Sequence, residues 1–212
     1  MKLMRILAFS DTHGHLPDLD VSYADCVMIA GDICPDGPGL NIAEIQKTWL
    51  EEKFCPWVEN LKVPVYLTFG NHDFVDNFEA PMNLRYGTER ILDDILLFSW
   101  TPLYFNFAWM ASEAELTVKL KTLLTSGQAP SIWLTHGPPW GVCDSWKDAS
   151  GRNHSGSHAI RAAIEKYQPR LLICGHIHEG AGVGKLGRTE IYNVSILDSS
   201  NDWHGQPALI EI

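Results

Sequence analysis

Five short apolar runs divide the chain, and turn-forming residues flank each of them. The runs cover residues 5–9, 26–30, 63–69, 131–135 and 170–174. Their length and their content of β-branched residues are typical of strands that are buried on both faces of a sheet. We therefore predict a strand at each run.

Helical patterns lie between these runs, at residues 42–54, 113–124 and 157–167. The last one follows a predicted capping stretch at 153–156 and ends before Pro169. Shorter strands are predicted near 95–98, 181–185, 189–194 and 208–212. The alternation of strands and helices indicates an α/β core, and the tail of short strands predicts a second, mixed sheet beside it. No repeat or linker divides the sequence, so a single domain over 1–212 is expected.

Polar residues directly follow every one of the five main runs. They read SDTH at 10–13, GD at 31–32, GNHD at 70–73, HG at 136–137 and GHIH at 175–178. Open α/β sheets place their ligand sites at the carboxyl ends of their strands. Carboxylate, imidazole and amide groups are the ligands of borderline first-row divalent metals. The pattern therefore predicts a metal site.

The charge of the candidate ligands favours two metal ions over one. Two divalent ions bring four positive charges, whereas Asp11 and Asp32 supply only two negative charges. A bridging hydroxide would leave one net positive charge, ready for a phosphoryl oxyanion. Two ions roughly 3.5–4 Å apart can hold the attacking and leaving oxygens of such a reaction.

The order of these motifs resembles that of the calcineurin-like metallophosphoesterases, which is D-x-H, GD, GNH[DE], a lone H and GHxH. All five elements occur in this order between Asp11 and His178. The resemblance implies a four-layer α-β-β-α sandwich of two mixed β-sheets. It also implies a dinuclear metal-dependent phosphoesterase.

The resemblance assigns a role to each matching residue. Asp11, His13 and His178 would hold one metal ion. Asn71, His136 and His176 would hold the other, and Asp32 would bridge the two. His72 would act as a general acid or transition-state stabiliser, oriented by Asp73.

Other segments bear on the branch of the family. Residues 33–35 read ICP, which lacks the arginine or tyrosine that protein Ser/Thr phosphatases and purple acid phosphatases carry after the GD motif. The segments THGPP at 135–139, GHIHEG at 175–180 and IYNVS at 191–195 resemble the small MPPED-type branch, which is related to cyclic-nucleotide phosphodiesterases. Some members of that branch replace the first histidine of GHxH by glycine and are weak enzymes. His176 is intact, so an active enzyme is expected.

The segment after His136 is predicted to be a long loop that contacts substrate. Arg152 could hold a phosphate and His154 could touch the substrate, although a flexible loop with a helix cap is an equal alternative. Trp140 and Trp146 could stack on a nucleobase or cover the domain. His15, His158 and His204 are expected to face solvent, and Trp133 to lie in the core.

Composition excludes some classes of function. The net charge of -10 argues against a long nucleic acid as partner. No stretch approaches the roughly 18 apolar residues of a membrane span. The five cysteines lack a disulfide or metal spacing, which predicts a reducing compartment, the cytoplasm.

The sequence therefore predicts hydrolysis of small phosphate esters, namely aryl diesters, cyclic nucleotides and possible monoesters. Two divalent transition-metal ions are expected, with manganese favoured and iron, zinc, cobalt or nickel as alternatives. A low-turnover nucleotide-binding regulator and a nuclease are alternative functions. The oligomeric state stays open.

Overall fold

The computed structural model describes residues 3–37, 41–91, 94–103, 107–124, 129–148, 151–198, 200, 202–203 and 205–212. The strands within these ranges are β1 (Arg5–Phe9), β2 (Cys26–Ile29), β3 (Val65–Leu67), β4 (Leu84–Tyr86), β5 (Glu89–Ile91), β6 (Ile95–Phe98), β7 (Thr101–Pro102), β8 (Met110–Ala111), β9 (Ile132–Thr135), β10 (Ser145–Asp148), β11 (Gly151–His154), β12 (Leu171–Cys174), β13 (Gly182–Leu186), β14 (Thr189–Asn193) and β15 (Ala208–Glu211). The helices are α1 (Ile42–Trp49), α2 (Cys55–Leu61), α3 (Glu113–Leu124) and α4 (His158–Tyr167).

Two mixed sheets form the centre of the protein. The first has the strand order β15-β1-β2-β3-β4, in which only β15 pairs antiparallel. The second has the order β13-β14-β12-β9-β6-β5, with four parallel inner strands and an antiparallel strand at each edge. A hairpin of β10 and β11 and a small parallel pair of β7 and β8 complete the described strands.

Alternating side chains of the central strands belong to different hydrophobic cores. In β1, Ile6 and Ala8 point to a core between the two sheets, whereas Leu7 and Phe9 point to the outer face of the first sheet. In β12, Ile173 joins the core between the sheets and Leu172 joins the outer face of the second sheet. Strand side chains alternate between faces with a period of two, so fully apolar strands need a covering layer on both sides.

Helices supply the two outer layers. Phe54 and Val58, four residues apart, are fully buried against the first sheet, and Leu116 and Leu120 on α3 pack on the second together with Ile160 of α4. Complete burial of such a side chain stabilises the fold by about 1.5–3 kcal/mol. The result is the predicted α-β-β-α sandwich of four layers.

The structure corrects some of the predicted elements. The predicted helix 42–54 continues to Leu61, because a π-helical turn at Leu50–Phe54 leads directly into α2 and Pro56 occupies its first turn, where proline is tolerated. The cap of α4 is Ser157, whose hydroxyl accepts a hydrogen bond from the Ile160 N–H, and not the stretch 153–156. β15 joins the first sheet rather than the second. β4 and β5 were not predicted, since they are short and carry charged residues.

The described residues include neither a membrane-spanning helix nor a disulfide bond. No helix among them combines the length and apolar character needed to cross a membrane. All five cysteines are free, and four of them are buried, as their apolar surroundings predicted for Cys26 and Cys174.

Candidate metal centre

The five predicted strand ends meet at one edge of the sandwich. Three belong to the first sheet (β1, β2 and β3) and two to the second (β9 and β12). The turns after them are bonded to one another: the Asp11 N–H donates to the Gly31 carbonyl at 3.0 Å, and the Gly175 N–H donates to the His136 carbonyl at 2.9 Å. The polar residues that follow separate strands therefore lie in one place.

The side chains at this edge form three groups whose potential ligand atoms lie within 4.8 Å of one another. The groups are Asp11 with His13 and His178, Asp32 with His136 and His176, and His13 with Asp36 and His72. Asn71 adjoins the second group, because its Oδ1 lies 3.0 Å from His136 Nε2. The structure thus brings together all seven predicted metal ligands.

Asp11 is held in a fixed orientation by four neighbouring groups. Its Oδ2 accepts hydrogen bonds from the hydroxyls of Ser10 at 2.5 Å and Ser195 at 2.6 Å. The His176 N–H and the His178 ring lie 3.0 Å and 3.4 Å from its oxygens. Complete burial works against ionisation, but these contacts hold the pKa of Asp11 well below its usual range. It is therefore a carboxylate at neutral pH.

Backbone carbonyls fix the tautomers of two histidines. His136 Nδ1 lies 2.7 Å from the Ala30 carbonyl, and His178 Nδ1 lies 2.9 Å from the Asp198 carbonyl. A carbonyl can only accept, so both Nδ1 atoms carry the proton and both Nε2 atoms face the site. His136 Nε2 lies 3.3 Å from Asp32 Oδ2.

The histidines of the site differ in whether the buried carboxylates or burial dominates their pKa. Burial alone would lower the pKa of His136 and of His178, but Asp32 raises the first and Asp11 raises the second, each to about 9. Burial and the neighbouring His136 lower the pKa of His176 to about 3. The carboxylates therefore favour positive charge on the groups beside them. His176 is a neutral imidazole, whose unprotonated nitrogen can offer its lone pair to a metal ion.

His13 tests whether these residues fit a metal. Only 6% of its side chain is exposed, and its Nε2 has no hydrogen-bond partner among the described residues. Its Nδ1 lies 3.1 Å from Asp36 Oδ2 without the alignment of a hydrogen bond. A buried imidazole nitrogen without a partner, such as this Nε2, is unfavourable, and a bound metal ion would satisfy it. The residues present fit the metal.

The backbone at this edge is strained. Asp11, His13, Asp32 and His176 account for four of the eight described non-glycine residues with positive φ. Each such residue costs roughly 1–3 kcal/mol and persists where the surroundings enforce it, as at functional sites. Glycine permits the close packing: a Cβ on Gly70 would overlap the Asp32 carboxylate and the His136 ring.

Asp36 is a site residue that the sequence did not predict. Its carboxylate lies 2.8 Å from His72 Nδ1 and 3.1 Å from His13 Nδ1. These two rings hold the pKa of Asp36 below its usual range, whereas Asp36 and Asp32 raise the pKa of His72 against the effect of burial. The prediction that Asp73 orients His72 is therefore wrong, since Asp36 makes that contact.

Asp73 has a different role. It is completely buried, and its two oxygens accept hydrogen bonds from the N–H groups of Cys34 and Gly70, each at 2.8 Å. Burial, followed by the charge of Asp32, raises its pKa to about 6. Asp73 fastens the loop after β2 to the loop after β3, and thereby acts on His72 only through the backbone.

The side chain of Gln46, on α1, forms hydrogen bonds with the same two loops. Its fully buried amide donates to the carbonyls of Pro35 at 3.1 Å and His72 at 2.8 Å, and its oxygen accepts from the Phe74 N–H at 2.7 Å. Gln46 thus joins Asp73 in holding together the loops that carry Asp36 and His72.

A cavity of about 620 Å³ lies over the candidate ligands. His13, Asp32, His72 and His176 form part of its wall. Its size is within the range of cavities that hold small molecules, about 300–1,000 Å³.

Of the residues predicted to contact substrate, some line the cavity and others do not. Residues 145–148 and 151–154 pair as antiparallel strands rather than forming a loop, with Trp146 in the cavity wall. His154 is not part of the described wall; its Nδ1 lies 2.7 Å from buried Asp144. Trp140 stacks on His158, with ring centroids 4.4 Å apart.

The Arg152 side chain lies outside the described part of the chain, so its phosphate contact stays a prediction.

The remaining predictions for single residues have mixed outcomes. Trp133 is buried in the core, as predicted. His15 and His158 are exposed, again as predicted, and His204 lies outside the described residues.

Comparison with known proteins agrees with this site. Residues 4–180 match the family model of the calcineurin-like phosphoesterases, and the chain belongs to this family. It is a metal-dependent phosphoester hydrolase, of a family that uses a dinuclear divalent metal centre. The resemblance that the motifs indicated is confirmed.

Individual relatives extend over most of the chain. An uncharacterized protein of Methanocaldococcus jannaschii is 28% identical over 92% of this chain and 89% of its own length. The human metallophosphoesterase domain-containing protein 1 is 22% identical over 98% of this chain and 71% of its own length. A crystal structure of a Thermus thermophilus protein has a TM-score of 0.58 at 15% identity, covering 99% of this chain and 98% of that one, and shows the shared fold.

The contacts of Gln46 predict its effect on stability. Replacing Gln46 by Leu leaves the carbonyls of Pro35 and His72 and the Phe74 N–H without their partner. We expect a loss of roughly 2–4 kcal/mol in the free energy of unfolding, because buried unsatisfied groups cost about 1–3 kcal/mol each. Urea unfolding measures this. Lys47→Leu, at the exposed neighbouring position, is the control and should change it by less than about 0.5 kcal/mol. Equal values for the two variants would contradict the assignment.

Proposed function

We propose that this phosphoesterase hydrolyses phosphodiesters at a dinuclear centre. The observation that carries the proposal is the pair of three-residue groups at one sheet edge, each with one buried carboxylate and two imidazoles. In the proposal Asp11, His13 and His178 hold one ion. Asn71, His136 and His176 hold the second, and Asp32 lies between the two.

The donor set supports borderline divalent ions, and we propose manganese. All candidate donors are nitrogen or oxygen atoms, which suit Mn²⁺, Co²⁺ and Ni²⁺, whereas Mg²⁺ prefers oxygen ligands and bound water. When bound, two such ions supply an activated water nucleophile and neutralise the oxygens of the phosphoryl group.

The chain itself supplies the proton for the leaving oxygen in this proposal. His72 lines the cavity with 32% of its side chain exposed, so substrate can reach it. Asp36 holds its Nδ1, which leaves Nε2 as the atom that can give a proton to the leaving oxygen. Asp36 and Asp32 raise the pKa of His72 against the effect of burial, which favours the protonated ring that a general acid requires.

The charge of the cavity wall favours diesters over monoesters. None of the described side chains that line it is lysine or arginine, whereas Asp36 and Glu179 add carboxylates at its edge. A diester carries one negative charge and a monoester carries two near neutral pH. The extra charge of the monoester meets more repulsion from these carboxylates. Small phosphodiesters are therefore the proposed substrates, a class that includes aryl diesters and cyclic nucleotides.

Metal removal tests the centre. Protein treated with chelator should lose activity on bis(p-nitrophenyl) phosphate and regain it with Mn²⁺, Co²⁺ or Ni²⁺. Asp32→Ala should lose both bound metal and activity, because the carboxylate between the ions is gone, whereas Asp18→Ala at the surface should lose neither. Elemental analysis and the turnover assay measure the two effects. Full activity in excess chelator, or with Mg²⁺ alone, contradicts the proposal.

The proposed acid is tested by the leaving group. His72→Ala should retain metal and lose roughly 10²–10⁴ in kcat on a diester with an alkoxide leaving group. The loss should be much smaller with p-nitrophenolate, which departs without a proton. Asp36→Asn should follow the same pattern with a loss of roughly 10–100-fold.

His158→Ala, which removes an exposed histidine outside the cavity, is the control for these variants and should behave as wild type. Loss of metal from His72→Ala would make His72 a ligand rather than an acid. An equal loss with both leaving groups would exclude proton donation.

Substrate charge provides the third test. Wild type should show a higher kcat/KM for bis(p-nitrophenyl) phosphate than for p-nitrophenyl phosphate. Glu179→Gln should raise the relative rate on the monoester by roughly 2–5-fold, because it removes one carboxylate from the cavity wall. Glu190→Gln, exposed on β14, should leave the ratio unchanged. A monoester preference in wild type refutes the diester proposal.

A further inference from the structure

Part of the cavity lining is apolar, and the proposed reaction does not require it. Phe107, Met110, Trp146 and Ile177 line the cavity together with its carboxylates and imidazoles. We call Phe107, Met110 and Trp146 the apolar wall. Phe107 is 41% exposed, although a phenyl ring gains most from complete burial. A half-exposed aromatic wall beside polar groups is typical of a binding site for a small molecule.

The apolar wall begins at the proposed acid. The Phe107 ring stacks on the His72 ring, with centroids 5.0 Å apart and planes inclined by 23°. Phe107 also lies 6.4 Å from Phe74, which follows the GNHD motif. An ester group on the oxygen that His72 protonates therefore lies beside an aromatic surface.

Trp146 provides the other part of the apolar wall, from the β10–β11 hairpin. The root of this hairpin is fixed by the buried Asp144, whose Oδ2 accepts from the N–H groups of Gly141 at 2.9 Å and Gly156 at 3.0 Å. Its Oδ1 lies 2.7 Å from His154 Nδ1. These contacts hold the hairpin over the metal-binding edge.

The indole of Trp146 has an unsatisfied donor. Its Nε1 is buried and has no hydrogen-bond acceptor among the described residues. Buried tryptophan N–H groups usually have a partner, and leaving one without a partner costs free energy. This N–H therefore needs an acceptor from outside the described residues, which the oxygens of a bound diester could supply and its apolar ring could not.

We propose that the apolar wall binds a planar, apolar ester group of the diester substrate, and thereby selects aryl and heteroaryl esters over small alkyl esters. This inference rests on the proposed function, because it assigns the group attached to the phosphate. Aromatic side chains favour planar rings through offset or edge contacts that an alkyl group cannot make.

Binding of two diesters to the Mn²⁺-loaded protein tests the proposal without turnover. Isothermal calorimetry gives the Kd of diphenyl phosphate and of dimethyl phosphate, which share the charge of the phosphate and differ in the ester groups. Wild type should bind diphenyl phosphate at least about tenfold more tightly, since stacking of one ring contributes on this scale. Trp146→Ala and Phe107→Ala should each reduce that preference by roughly 5–10-fold, with the Kd of dimethyl phosphate unchanged.

Trp203→Ala is the matched control, because Trp203 is 52% exposed and contacts His15 outside the cavity. It should retain the full preference. Equal affinities of the two diesters for wild type overturn the inference, and so does a preference that survives in both Trp146→Ala and Phe107→Ala.

Turnover separates this inference from the proposed function. Preferential binding of diphenyl phosphate by metal-loaded protein that hydrolyses no diester supports the apolar wall and refutes the proposed function. Hydrolysis of diesters without an aryl preference supports the proposed function and refutes the role of the apolar wall.

Discussion

Two carboxylates, Asp11 and Asp32, are buried in neighbouring groups of histidines, and the rest of the site is arranged around them. Burying an ionised carboxylate costs several kcal/mol unless positive charge or hydrogen bonds compensate it. Here the serine hydroxyls, the His176 N–H and the imidazoles of His136 and His178 supply that compensation. Divalent cations would add to this compensation, which fits the site to bind metal.

The four-layer fold explains how ligands so distant in sequence come together. Parallel strands from two stacked sheets end at one edge, so loops from both sheets face each other there. The space is so narrow that Gly70 and Gly175 cannot be replaced without overlap with ligand side chains. The left-handed backbone at Asp11, Asp32 and His176 adds strain that the surrounding hydrogen bonds hold in place.

The sequence predicted the ligands because each one directly follows an apolar strand, and strand ends in an α/β sheet converge. Asp36 gave no such signal, since it lies in a loop and its partner His72 is 36 residues away. Gln46 does carry a signal: it is a polar residue four positions after Ile42 and four before Leu50, on the buried face of a predicted helix. The hairpin after His136 shows no apolar alternation that would predict its strands, because they are short and polar.

The central claim is that this edge holds two ions close enough to act on one phosphate. Titration of metal-free protein with Mn²⁺, followed by electron paramagnetic resonance, tests it most directly. The account predicts two equivalents of Mn²⁺ per chain and a signal of exchange-coupled ions, as expected at a separation of roughly 3.5–4 Å. Saturation at one equivalent, or two equivalents with the signal of isolated Mn²⁺, would contradict it.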